Sequence, residues 1–421
     1  MKVRIMLFLL TLSLFVSGCT TNTNNEIKSD ANFNVTKATR NYNENIIKPI
    51  NKTGYDVLSY LNNENNDKNI LFSPLSLTTA LSMLENGAKE VTQKEILNFL
   101  NLKNDEGVNK TYNQLINHFY EISDNENVEN RKTTFINMAN SFWFKNYNLK
   151  IRKDYIDEIK SSYDGDIYAV DFSNENTKDT MNEWIENKTN GLLKNTIKKT
   201  DSLDIAYLIN TLYFKGQWLH EFNENNTKKK DFYVNNDLKE TVDMMNGEEE
   251  RNYFESEEVQ IVELNYSDAS MYVFLPKNDL NDFINENDSI KLNELIKKTN
   301  SNKVDLSFPK FKFTNNNDLV DLLKSFGIKS AFDYKLSNFD YMIESGNEIA
   351  ITKAFQNTAI EVDEKGTEAA AVTVIGMAKL AAKPMNETII MNCNKPFLFI
   401  IKDRDSNVDL FSGILRNPNE K

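Results

Sequence analysis

An α+β architecture is predicted from three observations. Helical periodicity is concentrated early in the chain, strand runs joined by hairpin signals dominate later, and strict strand–helix alternation is missing. The last point argues against a doubly wound parallel sheet. The later strands should therefore be mainly antiparallel.

Ser73-Pro74 opens the first clear helix, since a serine hydroxyl can cap free backbone N–H groups and proline is tolerated at the first helical position. Leu77, Ala80, Leu81 and Leu84 then recur at helical spacing until Gly87. Thr92-Gln93-Lys94-Glu95 has capping-box spacing and starts a second helix through Ile96, Leu97 and Leu100. The stretch TYNQLINHFYEI around His118 is helix-like, and another helix covers Met181 to Glu186 with Trp184 and Ile185 inward. Thr134 to Phe144 and Ile205 to Phe214 are rich in aromatic and β-branched residues and read as strands. Two hairpins follow. Val259 to Leu264 and Met271 to Leu275 flank Asn265-Tyr266-Ser267-Asp268, and Phe397 to Ile401 and Leu410 to Leu415 flank Asp403 to Asn407.

Lys2 and Arg4 precede an apolar run, Ile5 to Val16, closed by Ser17-Gly18-Cys19. A basic start, an apolar stretch too short to span as a mature helix and a small-residue site read as an export signal over residues 1–18. The cysteine stands where a prokaryotic lipoprotein signal would place it, so Cys19 is the expected lipidated N-terminus and membrane anchor. Residues 19–45 are Asn-, Thr- and Lys-rich and almost without apolar side chains, which predicts a flexible tether. Residues 46–421 show no Pro/Gly/Ser linker and no internal repeat, and are read as one large domain. With Cys19 lipidated, the only other cysteine, Cys393, has no disulfide partner and should be a small buried hydrophobe.

The formal charge is −13. Lys228-Lys229-Lys230 is the sole basic run and reads as a solvated loop, so nucleic-acid binding is disfavoured. An enzyme is the weaker reading too. The two histidines, His118 and His220, lie in structural or exposed contexts. Nucleophile elbow, zinc-binding helix, Cys-x-x-Cys pair and phosphate-binding glycine loop are all missing from the sequence, so neither metal nor cofactor is expected.

One segment is out of place. Residues 364–382, EKGTEAAAVTVIGMAKLAA, carry no charge between Ala369 and Ala378, which suits an exposed loop poorly. Val372-Thr373-Val374-Ile375 is stiff and strand-favouring, so the run suits an ordinary helix no better. At period two, Thr367, Ala369, Ala371, Thr373 and Ile375 share one face, and all but the last are small enough to pass between packed strands. The alternative is a plain buried strand.

Glu364-Lys365-Gly366-Thr367-Glu368-Ala369-Ala370-Ala371 resembles the proximal hinge of the serpins, specifically of inhibitory members. Other motifs follow in the family's order: Asn69 to Ser76, Gly87-Ala88, Leu208 to Gly216 with Trp218, Met244-Met245, Phe308 to Phe311, Asn394 to Phe399 and Leu410 to Gly413. The resemblance runs from about residue 50 to the C-terminus. It implies a fold of three β-sheets with eight or nine helices and an exposed reactive-centre loop. It also implies a monomer that traps serine proteases as a covalent acyl complex when its cleaved loop inserts into the main sheet, with cysteine proteases as secondary targets. A non-inhibitory carrier or chaperone of the same fold, or a surface-binding lipoprotein, is the alternative.

By the same resemblance, the family's usual spacing from the hinge glutamate makes Leu380 the primary specificity residue, with Ala381 after the scissile bond. Leucine favours chymotrypsin-, elastase- or subtilisin-like enzymes. A slip of one residue gives Lys379 and a trypsin-like target, and Met377 is a third candidate. Ser73, Ser76 and Asn210 match a polar cluster beneath the main sheet, where glutamine, Gln356, replaces the usual histidine. Glutamine can donate and accept hydrogen bonds but brings no pH response. Trp218 and Glu364 match the top of the sheet, with Lys310 placed to pair with Glu364.

Overall fold

The structure, a computed structural model, describes residues 25–124, 134–146, 150–344, 349–367 and 387–420. Among them are nine α-helices and two hydrogen-bonded sheets, an α+β fold as predicted. Strand β1 (Asn25–Glu26) precedes α1 (Glu44–Glu64), β2 (Ile70–Phe72), α2 (Pro74–Gly87), α3 (Glu90–Phe99) and α4 (Val108–Asp124). Next come β3 (Thr134–Lys145), α5 (Lys153–Tyr163), β4 (Asp166–Val170), α6 (Glu175–Lys188) and β5 (Ala206–Gln217). Strands β6 (Lys228–Tyr233), β7 (Lys239–Glu255), β8 (Val259–Asn265) and β9 (Ala269–Pro276) lead to α7 (Leu280–Glu286) and α8 (Ser289–Ile296). Beyond them are β10 (Asn300–Pro309), β11 (Phe311–Asp318), α9 (Val320–Ser325), β12 (Lys353–Val362) and β13 (Gly366–Thr367). The last strands are β14 (Ile389–Asn392), β15 (Phe397–Asp403) and β16 (Asp409–Leu415).

The first sheet has the order β1-β4-β3-β5-β13-β12-β11. The second runs β14-β10-β7-β8-β9-β15-β16-β2, with β6 on β7. Two sheets are found where the resemblance implies three, and β7 is the reason. It is continuous over 17 residues and bonds β6 with its first part, β10 with its second and β8 with its end, fusing two sets of strands. Both expected hairpins form, as β8–β9 and β15–β16. Helix α2 lies between the sheets, in contact with β5 and β16, and every residue of it except Asn86 is buried.

Local signals explain the helix ends unevenly. Ser73 caps α2 as expected, its Oγ accepting from the Ser76 N–H at 3.2 Å, and Pro74 takes the first helical position. Thr92 does not cap α3. That helix begins earlier, after Lys89, with no side-chain cap. The capping-box residues make tertiary contacts instead: Thr92 Oγ1 accepts from the Asn338 N–H at 3.0 Å, and Glu95 from the Ser330 N–H at 2.8 Å and hydroxyl at 2.7 Å.

The tether expected over 19–45 is corrected from Asn25 onward. β1 pairs with β4, Ser29 Oγ donates to Asp157 at 2.6 Å, Phe33 meets Tyr120 edge-on, and the Thr36 N–H donates to Asn117 Oδ1 at 2.6 Å. This segment needs few apolar side chains because its backbone finds partners on an existing sheet edge and on α4 and α5. Cys393 is buried and unpaired as expected. His118 is structural, its Nε2 lying 3.0 Å from Asp403 Oδ1 in the core, and His220 is exposed.

Glu85, near the end of α2, is 2 % exposed and accepts one bond from Gln93 Nε2 at 2.7 Å. Burial raises its carboxyl from the ordinary 4.5 to about 7, against the Gln93 bond that favours the charge. The folded chain thus holds this proton over a range where the unfolded chain has lost it. The group's stabilising contribution is full below pH 4.5 and is lost as the pH rises to about 7. Glu85→Gln should therefore raise the melting temperature at pH 8 but not at pH 4, by thermal denaturation across that range. Melting curves displaced equally at both ends would contradict this.

Candidate functional site: the hinge and the closed part of the first sheet

Strands β5 and β12 run parallel and bond directly only over Tyr207–Thr211 and Lys353–Asn357. Toward the other end they part, and β13 stands between them: Thr367 pairs with Gly216 of β5 and with Val362 of β12, antiparallel to both. The chain reverses from β12 into β13 around Asp363, whose Oδ1 accepts from the N–H groups of Lys365 at 2.8 Å and Gly366 at 3.2 Å. Gly366 has φ +154°, and a Cβ there would lie 2.0 Å from the Gly216 carbonyl oxygen. Only glycine lets the hinge lie this close to β5.

Each side chain around Thr367 is held. Thr367 is 2 % exposed, and its hydroxyl is 2.6 Å from the Tyr266 hydroxyl. Tyr266 stacks on Trp218 at 4.3 Å between centroids, and Trp218 Nε1 donates to the Asp363 carbonyl at 2.9 Å. Glu364 and Lys310 form the expected pair at 2.7 Å, and Thr227 Oγ1 donates to the other carboxylate oxygen at 2.7 Å. Burial opposes charge on both partners, but these bonds outweigh it, holding Glu364 below and Lys310 above its ordinary range.

Beneath the closed pairs lies the expected polar cluster. Asn210 Oδ1 accepts from Ser76 Oγ at 2.5 Å and from Gln356 Nε2 at 3.2 Å, while Asn210 Nδ2 donates to the Ser76 carbonyl at 2.6 Å and to Asn140 Oδ1 at 2.5 Å. Gln356 also donates to the Ser73 carbonyl at 2.9 Å and accepts from the Ser73 N–H at 3.0 Å. Ser73, Ser76, Asn210 and Gln356 are all fully buried. The glutamine thus ties α2 to both strands that the hinge separates.

Sequence reasoning missed Asn140, Tyr266, Thr227 and Asn357. Asn140 and Asn357 could have been flagged as amides inside strands of otherwise buried character; Tyr266 and Thr227 sit in loops that carry no such signal. Asn357 is fully buried, and neither atom of its amide has a partner among the described residues. It belongs to the last closed pair, Asn357 with Thr211, so the boundary of the closed part carries an uncompensated polar group. Glu368, Ala369, Ala370, Ala371, Met377, Lys379, Leu380 and Ala381 lie outside the described residues, as do the export signal and Cys19.

A family model described as serpin (serine protease inhibitor) matches residues 48–418. An uncharacterized serpin-like protein of Methanosarcina mazei is 30 % identical over all of this chain and 99 % of its own length. Human Serpin B4 is also 30 % identical, covering 84 % of this chain and 94 % of that protein. Among solved structures, a native thermophilic serpin, tengpin, superposes with a TM-score of 0.79 at 27 % identity over 92 % of this chain and 97 % of its own. Thyroxine-binding globulin in complex with thyroxine gives 0.74 at 25 % identity, over 88 % of this chain and 98 % of its own.

Proposed function

The chain belongs to the serpin family, a family of protease inhibitors, and we propose that it is an inhibitory member acting once per molecule on extracellular serine proteases. The observation that carries this reading is the placement of Thr367, already seated between the strands that an inserting loop must part. Continuing its register sets Ala371 opposite Leu212, brings Val372 to the closed pair of Thr211 and Asn357, and sets Thr373 between Asn210 and Gln356. The face shared with Thr367 meets the buried side of the sheet, where Ala369, Ala371 and Thr373 are small enough to enter. The same register brings Leu380 level with Leu203, a travel of about 40 Å along the sheet from Gly216. A protease acylated by Leu380 would be dragged that far before water releases it.

Two features support inhibition over a carrier role. The hinge is docked by specific bonds to Trp218, Tyr266 and Thr227, and the residues after it are small rather than charged or bulky. Leucine at the scissile bond directs the inhibitor to chymotrypsin-, elastase- or subtilisin-like enzymes, with cysteine proteases of similar preference as secondary targets. The export signal and Cys19 place it on the outer face of the cell membrane by a lipid anchor.

The chain lacking residues 1–19, mixed with chymotrypsin, subtilisin, elastase and trypsin, should give complexes that survive SDS, and the released C-terminal peptide should begin at Ala381. Clean cleavage without a stable complex across the panel would refute inhibition. A peptide beginning at Leu380 would assign the specificity residue to Lys379 instead.

A further inference from the structure

We propose that one pole of the molecule, where strands β5 and β12 begin, seats on the surface of the membrane that carries the lipid at Cys19. The proposal rests on the lipid-anchor reading above and adds an orientation to it.

The registers place the start of the described chain at this pole. Asn25 pairs with Ala169, Ala169 with Phe144, and Phe144 with Ala206, the first residue of β5. The hinge lies at the opposite end, level with Thr134 and Gly216, about 33 Å away along the strands. Fully extended, the chain from Cys19 to Asn25 spans at most about 20 Å. A lipid at Cys19 therefore holds this pole, and not the hinge, close to the headgroups.

The pole also has a surface suited to that position. Of the eleven large hydrophobic residues exposed among the described residues, five lie here: Val91, Leu203, Tyr334, Leu336 and Tyr341. Leu203 is 81 % exposed in the turn before β5, and Leu336 is 57 % exposed. Backbone bonds from Thr352 to Ala206, Ile351 to Ala331, Lys89 to Asn338 and Tyr341 to Gly87 hold these turns together at one end of the sheet. Single exposed apolar residues need no explanation, but such a group of leucine and tyrosine suits the headgroup–acyl boundary. The charges nearby are mixed: Lys89–Asp340, Lys150–Glu344 and Arg152–Asp154 pair, while the exposed Glu90, Asp201 and Asp333 flank the apolar residues, so the seating rests on the tether and the apolar contacts rather than on charge.

The test couples the chain 19–421 through Cys19 to a maleimide lipid in phosphatidylcholine/phosphatidylglycerol vesicles, Cys393 being buried. Hydroxyl-radical footprinting then compares it with uncoupled chain beside vesicles whose maleimide has been quenched. Oxidation of Leu203, Tyr334, Leu336 and Tyr341 should fall several-fold on coupling, while Tyr233 and Ile390, exposed on the second sheet, stay unchanged. The double variant Leu203→Asp, Leu336→Asp should lose the protection and keep its fold, since both side chains are exposed. Equal oxidation with and without coupling overturns the proposal. So does a dimer in sedimentation of the uncoupled chain that the double variant dissolves, because the face would then belong to a second copy. Fatty-acid labelling in cells, lost in Cys19→Ser, tests the anchor reading separately.

Discussion

Replacing Thr367 with arginine is expected to abolish inhibition while leaving cleavage of the loop intact. Thr367 is the hinge residue already between β5 and β12, with its side chain on the buried face against Tyr266. Its hydroxyl meets that of Tyr266, which packs against Trp218 and Phe214, and among the described residues no carboxylate bonds to it. In the uncut variant the arginine would stay in solvent with the hinge undocked, and driving its guanidinium into that buried site on insertion would strip its hydration at a cost of several kcal/mol. Under the proposed mechanism insertion competes with hydrolysis of the acyl-enzyme, and each 1.4 kcal/mol or so added to the insertion barrier slows it about tenfold. Hydrolysis should then win. The variant should be cut by the target at an ordinary rate, yield no SDS-stable complex and leave the protease active. Thr367→Ser, which keeps the small size and the bond to Tyr266, should retain inhibition. Stoichiometric trapping by the arginine variant would exclude insertion through this entry.

Much of this site was legible because its chemistry is local or belongs to motifs with fixed spacing. Ser73 capping α2, the Lys310–Glu364 pair and the strand character of β3 and β5 are of that kind. The misses share a cause, which is that their partners are distant in sequence. Thr92 and Glu95 have the residues of a capping box, yet their oxygens serve Asn338 and Ser330. Residues 25–43 look like solvated linker by composition, because an added edge strand gains most of its bonds through the backbone and leaves little trace in side chains. Tyr266 becomes a hinge residue only because a hairpin turn lies above Gly216, a fact of tertiary packing. The fusion of two strand sets through β7 likewise depends on which strands flank it, not on its own pattern.

Asn210→Ala should unlock the sheet in the unreacted protein and destabilise the cleaved form to a smaller extent. Asn210 accepts from Ser76 and Gln356 and donates to Ser76 and Asn140, all in the fully buried interior. Truncation strands several of these groups without partners, at roughly 1–3 kcal/mol each if water does not replace them. The terms are not additive among neighbours, but even part of their sum is a large share of a typical stability of about 5–15 kcal/mol. In the inserted state Thr373 comes between Asn210 and Gln356, so the bond that joins the two strands is already gone and its loss costs nothing further. The bonds to Ser76 and Asn140 are lost in both states, but the bond to Gln356 is lost only from the closed one, so the variant enlarges the gain on insertion by that difference. Its uncut form should melt a few degrees lower and lose inhibitory capacity on standing, while the loop-cleaved form is lowered less, by the bonds to Ser76 and Asn140 alone. Because Gln356 has no titrating group, this lock should hold equally from pH 5 to pH 8, and Gln356→His should make the loss of activity pH-dependent. Equal lowering of the melting temperature in cut and uncut forms would show that Asn210 stabilises the fold at large rather than the closed sheet.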